Sequence, residues 1–375
     1  MKLITKVKKL EGKKVLLRTD FNVPLGENGT ISGDEAVRIE RSLETIKFLK
    51  KEKAKVIIIS HIGRDGNDSL RPIAEYLSKK IKLTFLKGHI QDFVHEHIEA
   101  MKPGDVVMLE NLRQDEGEAV NNSSFARGLS RLADIYVNDA FAVSHRRHAS
   151  IVGVPKFLPS YAGILLDEEV AHLSKAIKKP KKPFLFILGG AKFETKLPLI
   201  KKYLKIADTV FVGGALQNNF FKADGKEIGK SLVDTKRYNL GSLIKTKKVI
   251  LPKDVLVRDG ENIRTVSVEE VSKNDTIVDI GPDSVKDLIE KIQTSKTVLW
   301  NGPLGLYEQG FTASTEAVAK ALSKSKAMSI VGGGDTVVTI KKLKLEKKIG
   351  FVSTGGGAML EYLEKGKLPG IEALQ

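Results

Sequence analysis

Cysteine is absent from all 375 residues. That excludes disulfides, thiolate nucleophiles and zinc or iron–sulfur sites built on sulfur ligands, and it sets a reduced, cytoplasmic compartment as the expectation. Aromatic residues are scarce at 6%, with one tryptophan, and no helix-turn-helix, RNP or basic-zipper pattern is present, so no specific nucleic-acid partner is expected. No apolar run approaches the ~20 residues of a membrane span. The opening MKLITKVKKLEGKK is basic without an apolar stretch behind it, so neither a signal peptide nor a membrane partner is expected. Also missing are a G-x-G-x-x-G loop, a serine nucleophile elbow and H-E-x-x-H. Acidic charge is in deficit: 46 Asp and Glu against 62 Lys and Arg leave a net +16. Such a balance fits an anionic ligand or a well-solvated basic surface, and it bears on steering rather than on fold.

What is present is length, apolar content and glycine. At roughly 150 residues per domain, 375 residues give two or three domains, and 41% apolar residues are enough to fill their cores. Short β-branched runs stand at 15–17, 56–60, 106–109, 135–137, 184–188, 209–212, 249–251, 276–280, 297–300, 329–331 and 350–353. They alternate with helical stretches such as ERSLETIKFLKK (40–51), the βαβ pattern of parallel sheets, and they are apolar throughout, as strands covered on both faces are. No internal repeat is evident. Between the halves, LLDEEVAHLSKAIKKPKKP (165–183) reads as a connecting helix, acidic early and basic late, stopped by prolines.

The strand exits differ between the two halves. In the first they read RTDFN (18–22), SHIGR (60–64), ENLR (110–113) and NDAF (138–141), the last leading into HRRH (145–148). Arg18, Arg38, His61, Arg64, Arg113 and Arg146 would then line one sheet edge as a basic bowl, and guanidinium forks match carboxylate and phosphate oxygens. Asp20 and Asn22 could orient a hydroxyl. His145 and His148 have a metal-like i, i+3 spacing, but Arg146 and Arg147 between them point to anion binding or packing instead.

In the second half the exits are glycine loops: GGAK (189–192), GGA (213–215), NGPLG (301–305), GGGDT (332–336) and TGGG (354–357). Glycines let backbone N–H groups approach phosphates, and the helix that follows adds a partial positive charge. Lys192 and Lys196, four apart, would share a helix face and reach one polyphosphate. Asp335 could hold Mg²⁺ through one carboxylate, since that ion keeps waters and substrate phosphates as its other ligands. GKEIGKS (225–231) resembles a P-loop but is one residue short between its glycines, and it reads as a turn. Ligands of open α/β sheets bind beyond the carboxyl ends of the strands, so two sites of different chemistry on two α/β domains are expected.

Taken in order, RTDFNVP, SHIGR, LENLR, NDAFAVSHRRHAS, LGGAKFETK, IGKSL, LPKDV, DIGP, WNGPLG, GGGDT and STGGGAMLEYLEKGKLPGIEAL resemble the blocks of the phosphoglycerate kinase family, from residue 18 to residue 374. The resemblance implies an α/β fold of two Rossmann-like domains, each a parallel sheet flanked by helices, joined by a hinge helix at 165–179. A phosphoglycerate-binding domain would comprise 1–164 plus 363–375, and a nucleotide-binding domain 165–362. It implies a monomeric, cytoplasmic glycolytic enzyme passing a phosphoryl group between 1,3-bisphosphoglycerate and ADP, giving 3-phosphoglycerate and ATP, with Mg²⁺ as cofactor.

By matching position, Asp20, Phe21, Asn22, Arg38, His61, Ile62, Gly63, Arg64, Arg113 and Arg146 would bind phosphoglycerate. Lys196, Gly213, Asn301, Pro303, Glu308, Gly333, Gly334, Asp335 and Thr336 would bind nucleotide, with Glu308 on the ribose and Asp335 on Mg²⁺. Arg38, Lys192 and Lys196 would be catalytic, Lys192 facing the transferred group. Departures from the family pattern are Ala215 for a glycine, Gln114 for an aromatic, Phe351 for a histidine and a short stretch at 234–246.

The implied chemistry agrees with the residue inventory. The nucleophile is a phosphate oxygen in one direction and a carboxylate in the other, both ionised at neutral pH, so no general base is required. What is required is charge neutralisation and in-line placement of the transferred group. Two readings of other classes draw on the same composition: a basic nucleic-acid-binding protein, and a non-catalytic sensor of anions and nucleotides.

Overall fold

A computed structural model describes residues 1–31, 33–236 and 238–375. Arg237, inside the short stretch 234–246, therefore lies outside the described residues. Two compact units divide the chain, one of residues 1–171 with 367–375 and one of residues 172–366. The division falls inside the helix Ile164–Lys178, whose Asp167 lies in the first turn and whose Lys175 and Lys178 lie in the last, as the helix dipole favours.

The first unit is built on a six-stranded sheet of β1 (Lys14–Arg18), β2 (Lys55–Ile59), β3 (Thr84–Leu86), β4 (Val106–Leu109), β5 (Ile135–Asn138) and β6 (Ser160–Ala162), in the order β3-β4-β2-β1-β5-β6. Every pairing is parallel. Val15, Leu17, Val56, Ile58 and Met108 share a core with Leu43, Ile46 and Leu49, the three-residue stripe of the helix Leu43–Lys51, and with Ile73 and Leu77 of the helix Arg71–Ser78. The run at the end of the chain belongs to this unit: Gly370 N–H donates to the Ser144 carbonyl at 2.8 Å.

The second unit holds β7 (Phe184–Leu188), β8 (Thr209–Val212), β9 (Val249–Ile250), β10 (Asp254–Asp259), β11 (Asn262–Ser267), β12 (Thr276–Ile280), β13 (Thr297–Asn301), β14 (Met328–Gly332) and β15 (Phe351–Val352). Six of them form a parallel sheet, β15-β14-β13-β7-β8-β9. The chain turns outward from β7 in one direction and from β13 in the other, so the switch point, where ligands of such sheets bind, lies between those two strands.

Four strands escape the sequence reading, and one is misplaced by it. The run 276–280 is not part of the parallel sheet. It pairs antiparallel with β10, which pairs antiparallel with β11, making a separate three-stranded sheet β11-β10-β12. Gly260, at a φ of +59°, starts the two-residue turn between β10 and β11. Asp259-Gly260 between alternating apolar residues is a hairpin signal in its own right. β3 and β6, three residues each, sit at opposite edges of the first sheet, too short to stand out by hydrophobicity.

Candidate active site

In the first unit the residues that follow β1, β2, β4 and β5 gather at the carboxyl edge of the sheet. The loop after β1 is tied to the loop after β2. Phe21 N–H donates to the Ser60 hydroxyl at 3.0 Å, and Gly63 N–H donates to Asn22 Oδ1 at 3.0 Å. The loop after β4 locks onto both: Asn111 accepts from Ile62 N–H at 3.2 Å and donates to the Ile62 carbonyl at 2.9 Å, while the Arg113 guanidinium donates to the Gly63 carbonyl. Arg38, on the helix Gly33–Arg41, reaches the Asn22 carbonyl at 2.8 Å and stands 3.7 Å from Asp20. Asp20, Phe21, Asn22, Arg38, His61, Ile62, Gly63 and Arg113 are thus brought together by hydrogen bonds, ion pairs and packing. Arg64 and Arg146 are exposed, and neither guanidinium has a partner among the described residues.

Like charges crowd this edge. Arg113 has its pKa lowered by burial first and then by Arg18 and Arg146. His148 is pulled down to about 4 by burial, then by Arg18, Arg113 and Arg146. His61, almost wholly buried, is held well below the ordinary histidine value by the same two causes, burial first and then Arg18 and Arg113. Both imidazoles are therefore neutral at pH 7, and the guanidiniums repel one another until an anion arrives.

Arg18 departs from the expected bowl. It is fully buried, with Nε donating to Ser150 Oγ at 2.8 Å and Nη2 4.0 Å from the carboxylate of the fully buried Glu118. It therefore lies beneath the bowl rather than on its wall. The sequence does not distinguish Glu118 or Ser150, because EGEA and HAS carry no spacing that separates a buried carboxylate from a solvated one.

In the second unit a recess of about 770 Å³ opens at the switch point between β7 and β13. Its walls include Lys192, Lys196, Asn301, Pro303, Glu308, Gly333, Gly334 and Asp335. Two backbones approach there as only glycines allow. Gly302 has a φ of +93°, and a Cβ on it would overlap the Gly189 carbonyl oxygen; Gly190 has a φ of +82°, and a Cβ there would lie 2.8 Å from Lys196 Nζ. Lys192 does not share a helix face with Lys196, because it is the residue before the helix Phe193–Ile206. It is exposed, and its ammonium has no partner among the described residues. Lys196, in the first turn, is buried and donates to the Gly189 carbonyl. Burial brings its pKa down to about 8, against the attraction of Asp335.

Asp335 is half-buried, and its pKa is raised by burial and then by Glu308, against Lys196. Two of the expected nucleotide residues are not on the recess wall. Gly213 is packed so that a Cβ would lie 2.8 Å from Leu304 Cδ2, and Thr336 is fully buried with an unpartnered hydroxyl. The recess adds Glu194, Glu361 and Glu364, which the sequence does not distinguish from solvated helix charges. Among the described residues no three or more His, Asp or Glu side chains form a ready metal cage, and no helix is long and apolar enough to cross a membrane.

Comparison with known proteins gives one consistent result. The family model described as phosphoglycerate kinase matches residues 4–367. The chain is 40% identical over 383 residues to a phosphoglycerate kinase of Pelotomaculum thermopropionicum, covering 97% of each chain. It is 43% identical over 387 residues to one of Trichodesmium erythraeum, covering 97% of this chain and 96% of that one. Among solved structures, phosphoglycerate kinase from Coxiella burnetii superposes with a TM-score of 0.86 at 38% identity, covering 99% of this chain and 98% of its own. That from Pyrococcus horikoshii gives 0.89 at 29% identity, covering 100% and 98%.

Proposed function

We propose how a chain that belongs to the phosphoglycerate kinase family, and so catalyses the reversible transfer of a phosphoryl group between 1,3-bisphosphoglycerate and ADP, divides that reaction between its two units. The unit of residues 1–171 with 367–375 binds phosphoglycerate at Asp20, Phe21, Asn22, Arg38, His61, Ile62, Gly63, Arg64, Arg113 and Arg146. The unit of residues 172–366 binds the nucleotide in the 770 Å³ recess, with Glu308 on the ribose and the loops at Asn301–Pro303 and Gly333–Gly334 along the phosphates; Gly213 and Thr336 act from behind the wall. One observation carries the division. Guanidiniums converge at one sheet edge without enough carboxylates to neutralise them, whereas glycine backbones and two lysines converge at the other.

The chemistry needs charge neutralised on three equatorial oxygens and both reacting oxygens held in line. Lys192, exposed on the recess lining and without a partner among the described residues, is free to follow the group in flight. Lys196 is buried and fixed, so its ammonium holds the phosphate chain without reorganising. Arg38, anchored by the Asn22 carbonyl and close to Asp20, presents its remaining N–H groups to the acyl phosphate. No residue has to remove a proton, because each nucleophile is already an anion.

The Mg²⁺ we assign to the nucleotide fits this donor set. Asp335 is a half-buried carboxylate raised by burial and by the neighbouring Glu308, which a cation beside it would relieve. Asp335 would hold the ion, with nucleotide phosphates and waters completing its shell. When bound, the metal supplies neutralisation of phosphate charge.

Because the two reactants are assigned to different units, transfer requires that the units bring them together. We place the hinge in the connections that cross the division, the helix Ile164–Lys178 and the return near residue 366. Closure of this kind excludes water, the competing acceptor. A monomer working in the cytoplasm suits a self-contained pair of sites. The test is a coupled assay of ATP-dependent phosphorylation of 3-phosphoglycerate, with Mg²⁺ supplied and then chelated. Turnover that stops on chelation is expected, and no turnover in either condition overturns the reading.

A further inference from the structure

Beneath the guanidinium-lined edge, three buried side chains that the reaction as described does not use, Glu118, Ser150 and Arg18, lead to the binding residue His61. Glu118, on the short helix Glu116–Ala119, is fully buried. Its Oε2 accepts the Ser150 N–H at 2.9 Å, and its Oε1 accepts the Ser150 hydroxyl at 2.6 Å. Ser150 Oγ accepts from Arg18 Nε at 2.8 Å, and Arg18 Nη2 stands 3.2 Å from His61 Nδ1. All four side chains are buried.

The direction of every bond in this chain follows from chemistry. An ionised carboxylate only accepts, so the Ser150 hydroxyl donates to it and turns a lone pair toward Arg18. A guanidinium only donates, so His61 Nδ1 is the acceptor. A neutral imidazole whose Nδ1 accepts carries its proton on Nε2. The opposite tautomer would need an acceptor at Nδ1, and the carboxylate nearest to it, Asp20 Oδ1, is 3.8 Å away, beyond hydrogen-bond length. His61 Nε2 has no protein partner among the described residues, so its N–H remains available.

We propose that Glu118 is a positioning residue: through Ser150 and Arg18 it fixes His61 as the Nε2–H tautomer, a neutral donor for an anionic oxygen of phosphoglycerate. This rests on the placement of phosphoglycerate proposed above. The arrangement solves a local problem of charge. An imidazolium would add one more cation to a set already repelling itself, whereas a neutral imidazole of fixed tautomer supplies a directed donor without that cost. Glu118 also offsets the buried charge of Arg18, which without a counter-ion would be strongly destabilising.

The full-length protein labelled with ¹⁵N-histidine tests this through long-range proton–nitrogen spectra, with His61 assigned by its loss in His61→Gln. A protonated Nε2 and bare Nδ1 are expected throughout pH 6–8, with a shift on saturation by 3-phosphoglycerate. Glu118→Gln and Ser150→Ala should each release the tautomer into a mixture. Each should weaken 3-phosphoglycerate binding on the order of tenfold while leaving ADP affinity unchanged. Ser150→Ala keeps the buried charge pair, so it reads the relay even if Glu118→Gln does not fold. A protonated Nδ1 in the wild type overturns the proposal, as does an unchanged tautomer and affinity in Ser150→Ala. A wild-type His61 signal indifferent to 3-phosphoglycerate overturns the placement instead, which the tautomer measurement distinguishes.

Discussion

Two lysines four residues apart meet opposite environments, and their chemistry divides accordingly. Lys192 is exposed, with no partner among the described residues, while Lys196 is buried and donates to the Gly189 carbonyl. A contact that forms only as charge moves affects kcat without affecting ground-state binding. Lys192→Ala should therefore lower kcat on the order of 10²-fold, as removal of one transition-state donor does, with ADP affinity changed by less than about threefold. Steady-state kinetics paired with ADP titration checks this, and a loss confined to binding would assign Lys192 to ground-state holding instead.

Lys196 makes a prediction in pH. Its pKa in the free protein is about 8, and a bound polyphosphate raises it by adding negative charge. Binding of ADP should accordingly take up a proton near pH 8, and affinity should fall as pH rises through that value. Calorimetric titrations in two buffers of different ionisation heat read the uptake directly. It should vanish in Lys196→Gln, and its persistence there would move the titration to another group.

At the level of elements, the recess depends on loops that interlock through glycine. Gly302 sits at a φ of +93°, with the space for a Cβ taken by the Gly189 carbonyl. Gly302→Ala must then both strain its own backbone and push the loops after β7 and β13 apart, at a cost on the order of 3 kcal/mol. Loss of ADP binding with 3-phosphoglycerate binding retained is expected in parallel titrations, because the strain is confined to one unit. Equal loss of both ligands would show instead that the glycine supports the whole fold.

The same elements show what the sequence makes legible. Runs such as FLFIL at β7 and TVLWN at β13 are buried at every position, so parallel strands covered on both faces leave an unbroken apolar signature that needs no tertiary knowledge. The glycine exits and the arginines that follow strands are legible for the same local reason. The sheet β11-β10-β12 is legible only in β12, because β11 is nowhere buried and mixed in composition. The mark of its β10–β11 hairpin is the turn at Asp259-Gly260. Nor does the sequence show that Arg18 faces inward while Arg113 contributes to the bowl. Arg18 ends one apolar strand and Arg113 follows another, and only the buried Glu118, a hundred residues from Arg18, separates their roles.

For the whole molecule, the excess of sixteen positive charges acts at long range, where individual ion pairs do not. Many lysines are already paired with carboxylates at the surface, as Lys14 is with Glu99 and Lys182 with Asp208, and exposed pairs of this kind add little stability. The unpaired remainder sets up a positive potential through which both polyanionic substrates must diffuse. Steering by such a potential raises association rates and is screened by salt, since the Debye length shortens from about 10 Å at 0.1 M to about 3 Å at 1 M. The chemical step takes place between groups in contact, where screening is weak. Raising ionic strength from 0.05 to 0.5 M with a monovalent salt of weakly binding anion should therefore lower kcat/KM for both substrates on the order of tenfold, with kcat changed by less than about twofold. Among the described residues Lys50 and Lys82 have no ion-pair partner, and they lie at the amino end of the first sheet, away from the carboxyl edge where we place phosphoglycerate. Replacing both with glutamine should flatten the salt slope while leaving kcat as it is. A slope unmoved by that double change would confine the effective charge to the arginines and lysines of the two sites themselves.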